Sequence, residues 1–295
     1  PPSASTSSIR VQASFAIESV VDEICEEMGF DRIQFRLDNA AREGTRRGDG
    51  VQFPRVGLEE CLIATRDSDH WNSPLGDAPA GKARGRGIAT AYWMNGGGKS
   101  TCDLMLQDDG TVMMNEGSAD IGGTRASIAM QAAEVLGISA EDVHPSIPDT
   151  DSIGFTGVTG GSRTTYATGL AAYNAAHKLV DELKDRLANL WETDVDKIDF
   201  ADGMFSSDGQ TIGIRELAGR LDPTGGPVTS TASVNPSSAG AAYGVHICDL
   251  EVDLATGKTD VIRYTAVQDV GKAVHPQYAE GQIQGGAVQG IGWAL

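Results

Sequence analysis

Twice along this 295-residue chain the same patterns follow one another: a strand, a tight turn, a second strand, a glycine loop and an apolar helical stretch. The first pass runs through a strand at 101–107, the turn DDG at 108–110, the strand TVMMNEG, the loop DIGGT and a helix from about 126 to 136. The second runs through HICDLEVDL, which alternates strictly, the turn ATGK, the strand DVIRYTAV, the loop QDVGKAVHP and the stretch YAEGQIQGGAVQGIGWAL. Alternation marks a half-buried strand, and apolar residues three to four apart mark a helix. A weak duplication of this kind predicts a mixed α/β (α+β) fold built from two β-hairpin-plus-helix units.

A small helical segment precedes them. In SFAIESVVDEICEEMG (14–29), Phe15, Ile17, Val20, Val21, Ile24 and Met28 recur at helical spacing, and Gly29 is a stop. Cys25 sits among them and reads as a buried thiol. A shorter helix is expected at 31–40, a loop at 44–54 and another helix at 57–69. Residues 71–83, rich in Pro, Gly, Ala and Asp, are the best place for a boundary. The expected division is therefore a helical part at 1–80 and a second domain at 84–295. Residues 86–94 read as a further strand, joined to 101–107 through NGGGKS as a hairpin turn. Residues 170–190 read as a long helix, and 192–240 as a polar excursion that ends in a loop rich in Gly, Pro, Ser and Thr.

Composition narrows the function. Lys and Arg total 23 against 41 for Asp and Glu, a formal charge of −18. A field of that sign repels phosphate backbones, so nucleic acid is not an expected partner. No run of apolar residues is long enough for a membrane helix, and PPSASTSS lacks the pattern of a signal peptide. The four cysteines form no CxxC pair and the five histidines show no ligand spacing, so no metal site is expected from this chain alone.

Three glycine-rich stretches remain: DIGGTRAS (120–127), GVTGGSRTT (157–165) and GQIQGGAVQGIG (281–292). Glycine lets backbone turn sharply and approach a ligand closely. Free N–H groups at a helix start favour an anion. Ser162, Thr164 and Thr165 add hydroxyls beside such a start, and Gln282, Gln284 and Gln289 offer donors and acceptors to a heterocycle. Together they suit a large, flat, phosphorylated cofactor held by backbone and neutral groups. The plainer reading is close helix packing, above all for GGAVQGIG. Asp120, Asp149 and Asp151 lie near these loops and could orient them. NGGGKS is not a phosphate-binding loop, because Trp93 stands where its first Gly should be and a strand follows. GRGIAT lacks the third Gly of a dinucleotide fingerprint, and no GxSxG is present.

Four stretches carry a family resemblance. They are FAIESVVDEICEEMGFDRIQFRLDNAAREG, NEGSADIGGTRASIAMQAAEVLGI, DTDSIGFTGVTGGSRTTYATGLAAYNAA and AVQDVGKAVHPQYAEGQIQGGAVQGIGWAL. In this order they resemble segments of the large, molybdenum-binding subunit of the xanthine dehydrogenase/aldehyde oxidase family of molybdenum hydroxylases. The resemblance implies a molybdenum–molybdopterin cofactor, in prokaryotic members usually in its cytosine dinucleotide form. It implies hydroxylation of an aldehyde or N-heterocycle with oxygen from water. It further implies a cytoplasmic hetero-oligomer in which electrons leave through 2Fe–2S clusters and FAD on partner subunits. Residues 1–80 would end the first molybdopterin-binding domain, and 84–295 would form an incomplete second one. By position, Gly161, Ser162, Arg163, Thr164 and Thr165 match the loop that bonds the pterin and its phosphate, and Gln282 matches the Gly-Gln glutamine near the pterin. Gly122, Gly123 and Thr124 fall on a loop that reads Gly-Gln-Gly in many relatives; here the glutamine position is Gly123. All three elements are expected to meet on one pterin.

Two departures matter. The family's catalytic glutamate lies in a Gly-x-Gly-Glu-like motif beyond Leu295, so no residue here is expected to be the base, and none to ligate metal. Residues 1–11 do not match the family's Arg-x-x-Gly loop; Thr6 falls where Arg would. The chain reads as part of a longer polypeptide, completed by the rest of the large subunit. A non-catalytic relative that kept the fold, or a stand-alone nucleotide-binding module, would be alternatives.

Only 7 of the basic residues are Lys, and 26 of the acidic ones are Asp. Such a surface stays hydrated where salt screens charge, so concentrated salt is one expected setting and an ordinary acidic cytosol the other. A melting temperature that rises with molar KCl is expected in the first case; no rise removes it.

Overall fold

The computed structural model describes residues 8–238 and 240–295, so the expectation attached to Thr6 lies outside the described residues. Helices α1 (Ser8–Met28), α2 (Arg32–Asn39), α3 (Leu58–Arg66) and the short α4 (Asp69–Asn72) come first, followed by strand β1 (Lys82–Met94). Next come β2 (Ser100–Leu106), β3 (Val112–Glu116), α5 (Thr124–Leu136), β4 (Val143–Ser146) and α6 (Thr164–Trp191). Short strands β5 (Asp199–Ala201), β6 (Met204–Ser207) and β7 (Gln210–Gly213) then lead through α7 (Ile214–Ala218) to β8 (Val228–Val234). The chain closes with β9 (Ala241–Asp253), β10 (Thr259–Asp269) and α8 (Pro276–Ala294). The fold is mixed α/β, as the two strand–turn–strand–loop–helix passages imply.

The described chain forms two compact units. The first runs through Asn95 and resumes at Gly240; the second begins at Gly96 and fills the interval. In sequence the second unit is thus inserted into the first. The Pro- and Gly-rich stretch 71–83 lies inside the first unit, because β1 just after it pairs antiparallel with β9 far along the chain. NGGGKS is likewise not a hairpin turn. β1 pairs with β9, whereas β2 pairs with β3 and β8, so residues 95–100 carry the chain from one unit into the other.

In the first unit the sheet order is β1-β9-β10, all antiparallel. Ile33, Leu37, Cys61 and Leu62 from α2 and α3 bury against Ile88 and Val245 of the sheet. Full burial of each such side chain stabilises by roughly 1.5–3 kcal/mol. α1 is a helix as its spacing requires, and Cys25 is buried, but its apolar face points outward: Phe15, Ile17, Val20 and Met28 are exposed. Electrostatics decides this. Glu18 and Asp22 turn inward to the buried Arg36, whose Nη2 lies 2.8 Å from Glu18 and 2.9 Å from Asp22, and Thr90 also donates to Glu18. Removing these carboxylates would leave the buried guanidinium without its ionic partners, which is costly.

A second ionic cluster pins α4. Asp249 on β9 receives Arg86 Nε at 2.7 Å and Nη2 at 2.8 Å, and His70 Nε2 stands 3.1 Å away. Arg86 also donates to the carbonyls of Trp71 and Ser73, and His70 Nδ1 meets Thr265 Oγ1 at 2.7 Å.

The second unit is a four-stranded sheet, β4-β3-β2-β8, under α5 and α6. β3 and β4 are parallel and joined through α5, as a parallel pair requires a crossover. Ala129, Ala132 and Ala133 of α5 and Ala171, Ala172, Ala175 and Ala176 of α6 are buried, which lets these helices come close. At Gly169 a Cβ would meet the amide end of the Gln131 side chain at 2.2 Å, which would have to swing aside. α6 begins six residues before its expected start, since Thr164–Gly169 carry helix despite weak propensity when they pack on α5. β8 occupies part of the stretch expected to be loop. Val228 and Ala232 are buried and alternate with Thr and Ser, so the segment is a strand of small polar residues. Phe205, Ile212 and Leu217 of the polar excursion also enter this core.

Arg86 holds the Asp249 carboxyl below the usual carboxylate range, with His70 adding to the effect. The stabilisation is thus complete above the unfolded value of about 3.9 and disappears as pH falls through the lowered folded one. Asp249→Ala leaves Arg86 and His70 without their partner and is expected to cost about 3–5 kcal/mol. Urea denaturation midpoints at neutral pH, and their convergence with wild type on acidification, check this.

Candidate functional site

Two of the three glycine-rich stretches open helices of the second unit. At the start of α5, Gly122 and Gly123 adopt φ of 66° and 85°, left-handed backbone that other residues rarely take. Gly123 is the N-cap and offers no side-chain cap. Asp120 shapes this turn from within: its Oδ1 accepts from Thr124 Oγ1 at 3.0 Å and from Arg125 N–H at 3.3 Å. Burial pushes the Asp120 carboxyl up, but these hydrogen bonds outweigh it and hold the group below its ordinary range. The Thr124 hydroxyl is therefore engaged in closing the loop. Asp149 closes its own exposed turn through Asp151 N–H and the Ser152 hydroxyl, both at 2.9 Å.

At the start of α6, Gly161 has φ 64° and Ser162 has φ 58°. A Cβ at Gly160 or Gly161 would meet nothing within 4 Å, so this turn borders open space. Arg163, the N-cap, points the other way. Its buried guanidinium donates to Gly97 O (2.7 Å), Gly157 O (3.1 Å), Gly98 O (3.1 Å), Lys99 O (2.7 Å) and Ser100 Oγ (2.6 Å). Its side-chain donors are thus engaged inside the protein, which leaves the main chain at Arg163 to face any ligand. Thr164 is buried. Thr165 has a buried Oγ1 without a hydrogen-bond partner among the described residues.

The loops that lead into the two helices adjoin, Thr159 Oγ1 donating to Ala119 O at 3.5 Å, and Gln131 midway along α5 donates to Thr165 O at the start of α6 at 3.0 Å. Gln282, by contrast, stands half-buried on α8 in the first unit. His275 and Pro276 start that helix, the imidazole accepting from Tyr278 N–H. A Cβ at Gly281, Gly285, Gly286, Gly290 or Gly292 would meet nothing within 4 Å, so the packing reading of GQIQGGAVQGIG finds no partner among the described residues.

Reading by motif misses a buried carboxylate at this place. Glu116, the last residue of β3, is 1% exposed, and its Oε2 accepts from Ser118 N–H at 2.6 Å. The signal was available: Val112, Met114 and Glu116 alternate inward along β3, so the acidic residue occupies a core position. Among the described residues no group of His, Cys, Asp or Glu is arranged to hold a metal ion, and no helix is long and apolar enough to cross a membrane.

The family described as molybdopterin cofactor-binding domain matches residues 64–295. Over 96% of its length the chain is 29% identical to the xanthine dehydrogenase molybdenum-binding subunit of Escherichia coli O157:H7, covering 40% of that protein. It is 28% identical to the aldehyde oxidoreductase molybdenum-binding subunit PaoC of Escherichia coli strain K12, over 95% of the chain and 38% of the relative. The chain thus spans about two fifths of the length of these relatives. Reconstituted CO dehydrogenase from Oligotropha carboxidovorans shares the fold with a TM-score of 0.81 and 20% identity, over 93% of this chain and 38% of that one.

Burial pushes the Glu116 carboxyl up, against the pull of Ser118. The folded state then binds its proton more tightly than the unfolded state does. The associated stability is full at acidic pH and declines as pH rises through the raised folded value. Glu116→Gln, which keeps an acceptor for Ser118 and removes the charge, is expected to raise the melting temperature at mildly alkaline pH and to change it little at acidic pH. Thermal scans of both proteins across that range check the sign.

Proposed function

The chain belongs to the molybdopterin cofactor-binding domain family, and on that premise we propose that it forms the cofactor-binding part of an oxidoreductase that hydroxylates an aldehyde or an N-heterocycle. One observation carries the reading: the loops before α5 and α6 adjoin and make left-handed turns, the one before α6 borders open space, and a buried, unpartnered hydroxyl stands beside it at Thr165. Backbone N–H groups at such starts suit a phosphate or a pterin edge, and an orphaned hydroxyl inside protein costs free energy until a ligand pairs it. These groups fit a cofactor gripped without cations, as Arg163 is turned inward.

When bound, the molybdenum–pterin group supplies the two-electron chemistry by which a substrate carbon takes up oxygen from water. The chain's residues bind and orient it. Gly122 and Gly123 let the α5 start approach it, Gly161 and Ser162 set the turn before α6, and Thr164 and Thr165 stand at the first turn of α6. Thr124 fixes the first loop, and Gln282 is assigned to the pterin by its match to the Gly-Gln motif. The cytosine dinucleotide form, a catalytic glutamate from further polypeptide, and electron transfer to 2Fe–2S and FAD subunits in the cytoplasm belong to the same reading. So does the assignment of 1–80 to the end of one molybdopterin-binding domain and 84–295 to the next. The outward apolar residues of α1 and α8, Phe15, Ile17, Val288 and Trp293 among them, support burial against the rest of a large subunit.

Metal analysis and nucleotide release from the natural complex are expected to give molybdenum and cytidine monophosphate. An intact complex without molybdenum would favour a non-catalytic relative. Gln282→Ala is expected to lower cofactor content without changing the fold, since it removes polar contacts and opens no large cavity. Unchanged content would remove Gln282 from the site.

A further inference from the structure

A line of buried polar groups runs between the two helix starts. Arg163 Nη2 donates to Ser100 Oγ at 2.6 Å. Ser100 Oγ lies 3.0 Å from Thr168 Oγ1, which lies 2.7 Å from Ser118 Oγ. The Ser118 amide in turn donates to the Glu116 carboxyl at 2.6 Å. All five side chains are buried, Thr168 completely.

A guanidinium has donors only, so Ser100 accepts from it. The Thr168 hydroxyl bridges the hydroxyls of Ser100 and Ser118, and the Ser118 amide reaches Glu116. The members of such a chain polarise one another in a low-dielectric interior. Its anchors lie on different loops. Arg163 ends the 157–163 loop and grips the carbonyls of residues 97–99, while Ser118 begins the glycine loop that leads to α5. Gly96 N–H to Gly161 O and Gly157 N–H to Lys99 O, both 2.8 Å, tie the first of these loops to the same platform.

We propose that Thr168 is a positioning residue, the shared link of a hydrogen-bond chain from Arg163 to Glu116 that holds the loops 117–123 and 157–163 in one fixed relation, so that a cofactor meets both already aligned. The proposal deepens the reading of this place as a molybdopterin site and rests on it for the identity of the ligand alone. Prealignment matters because ordering two mobile loops at the moment of binding subtracts from affinity.

The test is amide hydrogen exchange, with molybdenum content, on the protein in its natural assembly. Wild type is compared with Thr168→Val, Thr168→Ser and Ser118→Ala. Thr168→Val keeps the shape and removes the link; Thr168→Ser keeps the hydroxyl. Thr168→Val is expected to speed exchange in both loops by about fivefold, the weight of one net buried hydrogen bond, to leave peptides across 176–187 unchanged and to lower molybdenum content. Thr168→Ser is expected to restore wild-type exchange. Ser118→Ala is expected to speed exchange in the distant 157–163 loop as well as its own, and it decides the matter if Thr168→Val does not fold. Loosening confined to one loop, a uniform rise that includes 176–187, or no rescue by serine would overturn the proposal. A wild-type assembly with both loops protected and coupled but without molybdenum would sink the cofactor reading and leave the coupling standing.

Discussion

The buried guanidinium of Arg163 is the fixed point of the second unit. It faces carbonyls of residues 97–99, the carbonyl of Gly157 and one hydroxyl, with no carboxylate among its hydrogen-bond partners. Burial alone draws its proton affinity below the usual value for arginine. Carbonyl dipoles compensate a cation less than a carboxylate does, so the arrangement holds only while several of them converge. The glycines of NGGGKS let the segment lie close to its neighbours. A Cβ at Gly97 would stand 2.0 Å from Pro236 O, and Gly98 has φ 106°. The segment that looks like a phosphate loop is the receptor for an internal arginine.

Arginine is used in the same inward way elsewhere. Arg36 fastens α1 to α2 through Glu18 and Asp22, and Arg86 fastens α4 to the sheet through Asp249. A planar fork with five donors suits such tasks better than the single ammonium of lysine. In a chain with −18 formal charge, three of its guanidiniums thus act as internal fasteners. A site built of backbone N–H groups and hydroxyls complements this use, since it needs no cation of its own.

Much of the fold is legible from local pattern. β2, β3, α5, β9, β10 and α8 stand where alternation, tight turns and apolar periodicity put them. What escapes is decided by distant partners. Residues 86–94 and 101–107 read as neighbours through a short glycine link, but β1 has its pairing surface on β9. The periodicity of Phe15, Ile17, Val20 and Ile24 specifies a helix and is silent on orientation, which Arg36 settles by drawing in the acidic face. At the candidate site, the glycine turns and hydroxyls near α5 and α6 are visible in the sequence. The inward turn of Arg163 is not, because no local rule distinguishes an arginine that awaits an anion from one already saturated by carbonyls. Glu116 was legible by alternation, whereas the link through Ser100, Thr168 and Ser118 exists only after three separate segments have met.

The first unit is assembled from the two ends of the described chain, and this orders events during synthesis. Met94 must wait for Ala241, and Lys82 for Asp253, before the central ladder of that sheet can close. Everything between them, including the whole β4-β3-β2-β8 sheet and its two long helices, leaves the ribosome earlier. A nascent chain therefore has a complete inner body while its first strand still has unpaired edges, and closing so long a loop from random coil would be slow. Once the inner body is formed, the flanking positions Asn95 and Gly240 are no longer the ends of a free coil. The entropy of bringing β1 to β9 is then set by a folded insert in place of a disordered one, so the inserted body acts as an internal chaperone for the sheet that encloses it in sequence.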